Sequence, residues 1–315
     1  MTLESKRHYC VLLLITVIIA LSCSASDVRM GMANGEGTRL SYRVVGQGEV
    51  LVVIHDGPGG EKSILYDGFD DLGKTMKVIY YDQRGCGRSE PLAASQSCTI
   101  EDNVGDLEAL RKYLSVDRFS IAAHGWGAVI AIEYARVHPE RVEAIVLVTP
   151  VSPHEPGLHL DGLMSRLPEE SQRHMQAVMD NPLTTMFEKR REFVRAVMPL
   201  LFYDQRVRDS VDLDRLRYSP DVDSRLSAEL KSFDFYPRLN SVGTPTLVVA
   251  GRHDVLTPLT EQMAYVDGIH TSRAVVFNES AHFPFLEERP AFMKQVGNFV
   301  CHGALPSLAS AGEDP

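Results

Sequence analysis

Five short stretches of this chain hold residue types that do chemistry. His55-Asp56-Gly57-Pro58-Gly59-Gly60 directly follows an apolar, β-rich run. Asp82-Gln83-Arg84-Gly85-Cys86-Gly87-Arg88-Ser89 follows the next such run. Ala123-His124-Gly125-Trp126-Gly127 lies where an apolar run gives way to a helical pattern. Near the end, Gly251-Arg252-His253-Asp254 and Ala281-His282 each follow a further run. The glycines of the first stretch let a backbone turn sharply and approach a ligand closely. A carboxylate and an imidazole at the ends of neighbouring strands are what proton transfer to a bound molecule requires.

Such side chains must be positioned, and the alternation of the chain says by what. Residues 40–45, 50–54, 77–81, 119–123, 142–148, 245–250 and 273–277 are β-rich, and most are continuously apolar. Residues 100–114 carry Ile100, Val104, Leu107, Leu110 and Leu114 at helical spacing. Helices are also expected over residues 126–138, stopped by Pro139, and over 259–266 and 289–300. Strands alternating with helices imply a mostly parallel sheet with helices on both faces. Residues 151–240 break this rhythm with seven prolines between helix-like stretches such as 170–179 and 187–197, and read as a helical lid inserted into the sheet.

Order and spacing of the motifs resemble the α/β-hydrolase fold, and within it the prolyl aminopeptidase-like group, peptidase family S33. The resemblance covers about residues 38–300 and is weakest in the lid. It implies an eight-stranded-type sheet and an oxyanion hole made by the backbone N–H groups of Gly57 and Trp126. It also implies Asp254 as the acid and its partner His282 as the base. Asp82 and Arg84 are expected to brace loops, and Cys86 to be a packing thiol.

The nucleophile is missing. In the G-x-S-x-G elbow a serine sits on a tight strand-to-helix turn. Aligned on Trp126-Gly127, that serine falls at Gly125 and the first glycine at Ala123. Ser120 lies inside a strand, Ser89 belongs to another loop, and His124 is one residue early and points elsewhere. Losing such a serine costs on the order of a millionfold in turnover. Asp56 stands where the family more often has glycine; a carboxylate facing the oxyanion would oppose it, so Asp56 is expected to point away or bind the lid.

Three readings stay open. One is an enzyme acting on a small-molecule or peptide ester/amide-type substrate by a non-covalent route, with His282 and Asp254 as general base, or running a lyase, isomerase or cyclase reaction. Another is a catalytically dead relative that binds a ligand or partner. The last is a serine-lacking variant of an ordinary hydrolase. The lid carboxylates Glu188 and Glu192 are the candidates for amine recognition, but basic neighbours flank both and the Trp-Glu lid pattern is absent, since Trp126 is the only tryptophan. Phe187, Phe193, Met198, Phe202 and Tyr203 line a pocket or pack the lid. His154, His159 and His174 are expected at the surface.

The 315 residues carry a formal net charge of -10, which argues against a nucleic-acid partner. No cofactor or metal is expected, because no Cys/His spacing fits zinc. Residues 1–26 read as a secretory signal peptide, with Lys6, Arg7 and His8, an apolar run too short to span a bilayer, and Ser22-Cys23-Ser24-Ala25-Ser26. A signal anchor, or a lipid on Cys23, is the alternative and would be the only membrane attachment. The expected location is extracytoplasmic, where a Cys86–Cys98 disulfide is conceivable. The chain then divides into 27–150 and 241–302 as the two parts of the core, 151–240 as lid, and 303–315 as a disordered tail.

Overall fold

The computed structural model describes residues 28–154, 160–212, 216–231 and 233–302. The expected leader at 1–26, the tail at 303–315 and His159 lie outside these residues. Eight strands form one sheet: β1 (Arg29–Asn34), β2 (Arg39–Val45), β3 (Val50–Ile54), β4 (Lys77–Tyr81), β5 (Phe119–His124), β6 (Val142–Val148), β7 (Thr246–Gly251) and β8 (Ser272–Phe277). Their spatial order is β1-β2-β4-β3-β5-β6-β7-β8. β1 and β2 pair antiparallel, as do β2 and β4, and every other pairing is parallel.

The parallel strands are apolar throughout because both faces are covered. Successive side chains feed two separate cores, as the period of two demands. Val52, Ile54, Ile79 and Tyr81 face one cluster, and Leu51, Val53, Val78 and Tyr80 face the other. The first cluster is closed by α1 (Ile100–Tyr113), α2 (Gly127–Val137) and α6 (Leu259–Gly268). The second is closed by α7 (Arg289–His302) and a short turn around Phe69. At the start of α1, Thr99 and Asp102 form a capping box, an arrangement that contributes about 1 kcal/mol.

Residues between β6 and β7 form α3 (Glu169–Asp180), α4 (Met186–Val197), α5 (Pro220–Leu230) and shorter turns, with no strand among the described residues. Leu163, Leu167, Met175, Phe193 and Val197 make this lid's own small core. Strand β1 goes beyond the sequence reading. It is an edge strand in which only Ala33 is buried, so it carries no apolar alternation to read.

Candidate active site

The carboxyl ends of β3, β5, β7 and β8 meet under the lid, where open parallel sheets bind ligands. β5 ends at His124, and Gly125 then takes a φ of 51°. That left-handed conformation is costly for other residues and turns the chain at once into α2. Trp126 is fully buried at the turn. Its Nε1–H donates to Gln83 Oε1 at 2.8 Å. Gln83 Nε2–H in turn donates to the carbonyl of His55 at 2.8 Å, and Gln83 N–H to His55 Nε2 at 3.0 Å. One glutamine therefore ties the loop after β3, the loop after β4 and the elbow together. Beside it, Arg84 holds the Asp106 carboxylate at 2.8 and 2.9 Å. Lys62 and Asp82 form a buried ion pair. Arg84 and Asp82 do brace loops, as expected.

Asp254 and His282 come together. His282 Nδ1–H donates to Asp254 Oδ2 at 2.8 Å. Asp254 Oδ1 accepts the N–H groups of Leu256 and Thr257 at 2.8 and 3.1 Å, which fixes the carboxylate. The backbone of His282 is equally fixed: its N–H donates to the carbonyl of Leu201 in the lid, and its own carbonyl accepts from Thr149 Oγ1 and His124 Nε2.

Asp56 corrects the sequence reading. It neither points away nor binds the lid. Its Oδ1 accepts the backbone N–H of Trp126 at 2.7 Å, and its Oδ2 lies 3.3 Å from His282 Nε2. The carboxylate thus occupies one of the two N–H groups assigned to the oxyanion hole, while Gly57 lines the adjoining cavity. It also fills the space of an elbow side chain: a Cβ on Gly125 would lie 2.0 Å from Asp56 Oδ1 and 2.3 Å from its Cγ. Glycine at 125 and the aspartate at 56 are thus packed directly against each other. The sequence shows each alone, and only the fold shows that they meet.

The result is a carboxylate–imidazole–carboxylate row, Asp56–His282–Asp254. Burial works against a charged His282, but the charge and hydrogen bond of Asp254, with those of Asp56, outweigh it and raise its pKa to about 10. Burial likewise works against a charged Asp56, and its contacts with His282, His124 and Trp126 N–H overcome this and hold it below the usual carboxylate range. At neutral pH His282 is therefore an imidazolium and Asp56 an anion.

His124 also belongs to the site, although the sequence reading sets it aside. Its ring lies 4.7 Å from that of His282, centroid to centroid, and it lines the cavity. Because Nε2 faces the His282 carbonyl it carries the proton, and Nδ1 is buried with no partner among the described residues. Burial and the charge of His282 pull its pKa down to about 4, so it is neutral. The signal in the sequence is a lone polar residue closing an apolar strand. Asp56, His124 and His282 each offer a donor atom within 4.8 Å of the others, the group among the described residues with metal-ligand geometry. No metal spacing in the sequence points to it, because the three come from three separate parts of the chain.

Above the row is a cavity of about 190 Å³, walled by the loop after β3 and the lid. Phe193 and Met198 line it. Phe187 and Tyr203 are exposed, and Phe202 is buried in the core. Glu188 and Glu192 do not line it: Glu188 caps α4 through Thr185, and Glu192 lies beside Arg191 and Arg195. His174 is exposed and His154 stacks on Tyr236. Cys86 and Cys98 are buried free thiols, not a disulfide, and burial pushes the Cys86 thiol up, which leaves it inert.

A family model described as the alpha/beta hydrolase fold matches residues 50–289, and the chain belongs to that family. Its relatives include proline iminopeptidases. That of Neisseria meningitidis serogroup A is 30% identical, covering 69% of this chain and 77% of its own. That of Saccharolobus solfataricus is 26% identical, covering 82% and 87%. The solved structure of a proline iminopeptidase-related protein from Thermus thermophilus superposes with a TM-score of 0.66 at 27% identity, covering 87% of this chain and 97% of that one.

Proposed function

We propose that this protein is a hydrolase-type enzyme that cleaves a small-molecule or peptide ester/amide-type substrate without an acyl-serine, using Asp56 and His282 as a base–acid couple. One observation carries the reading: a carboxylate and an imidazole lie 3.3 Å apart on the cavity floor, with Asp254 held 2.8 Å behind. Groups with opposed proton affinities, side by side in a cavity, are the usual mark of acid–base chemistry.

In this reading the substrate carbonyl takes the Trp126 N–H in place of Asp56, with Gly57 N–H as second donor. The released Asp56 accepts a proton from water as that water attacks the carbonyl carbon. His282 gives its Nε2 proton to the leaving group. The proton on Asp56 then passes to His282, which restores the resting state. Asp254 holds the imidazole in register throughout. The base role expected for His282 thus moves to Asp56, and His282 becomes the acid.

A second reading has one observation in its favour. Asp56 already holds the N–H that a hydrolytic oxyanion needs. A reaction that abstracts a proton and expels a group, an elimination or isomerisation, would use the same couple without displacing it. We propose further, from the leader-like composition of residues 1–26, that either activity operates outside the cytoplasm.

The test is turnover of chromogenic esters and anilides by Asp56→Asn and His282→Gln. Each is expected to lose about 10²- to 10⁴-fold in kcat with little change in KM. Undiminished turnover in either variant would overturn the reading. Ester-inert protein that still eliminates from a β-substituted carbonyl would favour the second.

A further inference from the structure

The lid places a cation where a free amine would otherwise be read. Arg190, in the middle of α4, lines the same cavity as Asp56 and His282. Its guanidinium lies 4.8 Å from the centre of the Tyr218 ring and 5.5 Å from that of Phe193, so it is stacked against the cavity wall. Its Nε is buried and has no hydrogen-bond partner among the described residues. Among those residues Arg190 forms no ion pair. The neighbouring acids are committed elsewhere: Glu188 to the Thr185 cap, and Glu192 beside Arg191 and Arg195. Glu61, the lining carboxylate on the opposite wall, accepts the Ser63 hydroxyl.

From this we infer that the cavity selects a substrate with an anionic group, a carboxylate or phosphate, which Arg190 receives at the lid while the reacting bond lies over Asp56 and His282. A guanidinium presents a planar fork of donors suited to such groups, and stacking pre-orients it. An unpaired donor in a half-buried wall is costly unless a ligand or water completes it. Electrostatics also fix the direction of binding. The floor holds two carboxylates against one imidazolium, so it repels an anion, whereas the lid attracts one. A substrate bearing an anion at one end is therefore admitted in a single orientation. A free amino terminus would meet Arg190 as a like charge.

The inference rests on the proposed function only for where the reacting bond lies, so binding and turnover are measured separately. Pentanoate binding is followed by calorimetry on the full chain, in wild type, Arg190→Gln and Arg190→Lys. Turnover is compared for mono-p-nitrophenyl succinate and p-nitrophenyl butyrate, which match in length and differ in the terminal carboxylate. Wild type is expected to bind pentanoate and to show a lower KM for the hemiester. Arg190→Gln is expected to weaken both by on the order of tenfold to a hundredfold, with a larger rise in KM for the hemiester than for the butyrate ester. Arg190→Lys, which keeps the charge but loses the fork, should fall between and guards against a folding defect in the glutamine variant. Equal affinity in all three proteins, or a preference for an amine-bearing ester, would overturn the inference. Pentanoate binding without turnover of either ester would leave it standing and overturn the hydrolytic reading instead.

Discussion

The pairing of Gly125 with Asp56 can be tested by introducing a serine at the elbow. In Gly125→Ser the new Cβ would sit 2.0 Å from Asp56 Oδ1, so the carboxylate must leave. Leaving breaks its 2.7 Å bond to Trp126 N–H, a charge-assisted bond worth about 1.5–3 kcal/mol. A serine at a φ of 51° adds about 1–2 kcal/mol. The single variant should therefore lose about 2.5–5 kcal/mol of unfolding free energy. In Asp56→Gly with Gly125→Ser the collision is gone, and the backbone cost remains alongside the loss of the Asp56 bonds. The double variant should thus be at least as stable as Gly125→Ser alone, a departure from additivity that independent sites do not show. Urea unfolding of wild type, both single variants and the double variant measures this. A fluorophosphonate probe supplies the chemical readout: the double variant should label at the introduced serine faster than Gly125→Ser, because only there is the displaced carboxylate gone from beside the hydroxyl, His282 and Trp126 N–H. Were Gly125→Ser within about 0.5 kcal/mol of wild type, or to label as fast as the double variant, Asp56 would not occupy the elbow and the pairing would be refuted.

Other expectations follow from the same geometry. Lys62→Met leaves Asp82 buried without its cation and should cost about 3–5 kcal/mol in unfolding experiments, and the double change Lys62→Met with Asp82→Leu should cost less. Asp254→Asn removes the partner of His282 Nδ1–H and should lower kcat by on the order of a hundredfold or more, with the fold kept by circular dichroism. His282 has a folded pKa of about 10, above its unfolded value near 6.5. Its contribution to stability is then complete below pH about 6.5 and lost as pH rises through 10. Thermal unfolding should show this alkaline decline in wild type and a weaker one in Asp56→Asn.

Much of this fold is legible in the sequence because parallel strands buried on both faces carry dense apolar runs. The seven such runs fall within a residue or two of β2 to β8, and the helices over residues 100–113 and 289–302 lie close to their expected bounds. The edge strand β1 escapes because its side chains are mostly exposed. In the site, motif order points to Asp254 and His282, and they meet as motif order implies. Asp56 falls at a position where glycine is the commoner residue, so a carboxylate there looks only like a hindrance. Missing from that reading is the space beside it, which Gly125, lacking a side chain, leaves open to the carboxylate. His124 stands one residue before the elbow, yet as the final residue of β5 it turns its ring toward His282. Arg190 reads in the sequence only as a neighbour that neutralises Glu188 and Glu192; which face of α4 looks into the cavity depends on how the lid docks, and local sequence does not encode that.

Everything proposed for the site depends on Asp56 and Asp254 together holding His282 as an imidazolium. Nitrogen-15 NMR of the labelled histidine rings tests it most directly. Both nitrogens of His282 should be protonated at pH 7.5, roughly two and a half units below its pKa, with titration near pH 10 that moves downward in Asp56→Asn. A His282 that is neutral at pH about 7.5 and titrates near the ordinary histidine value of about 6.5, unchanged by Asp56→Asn, would contradict it.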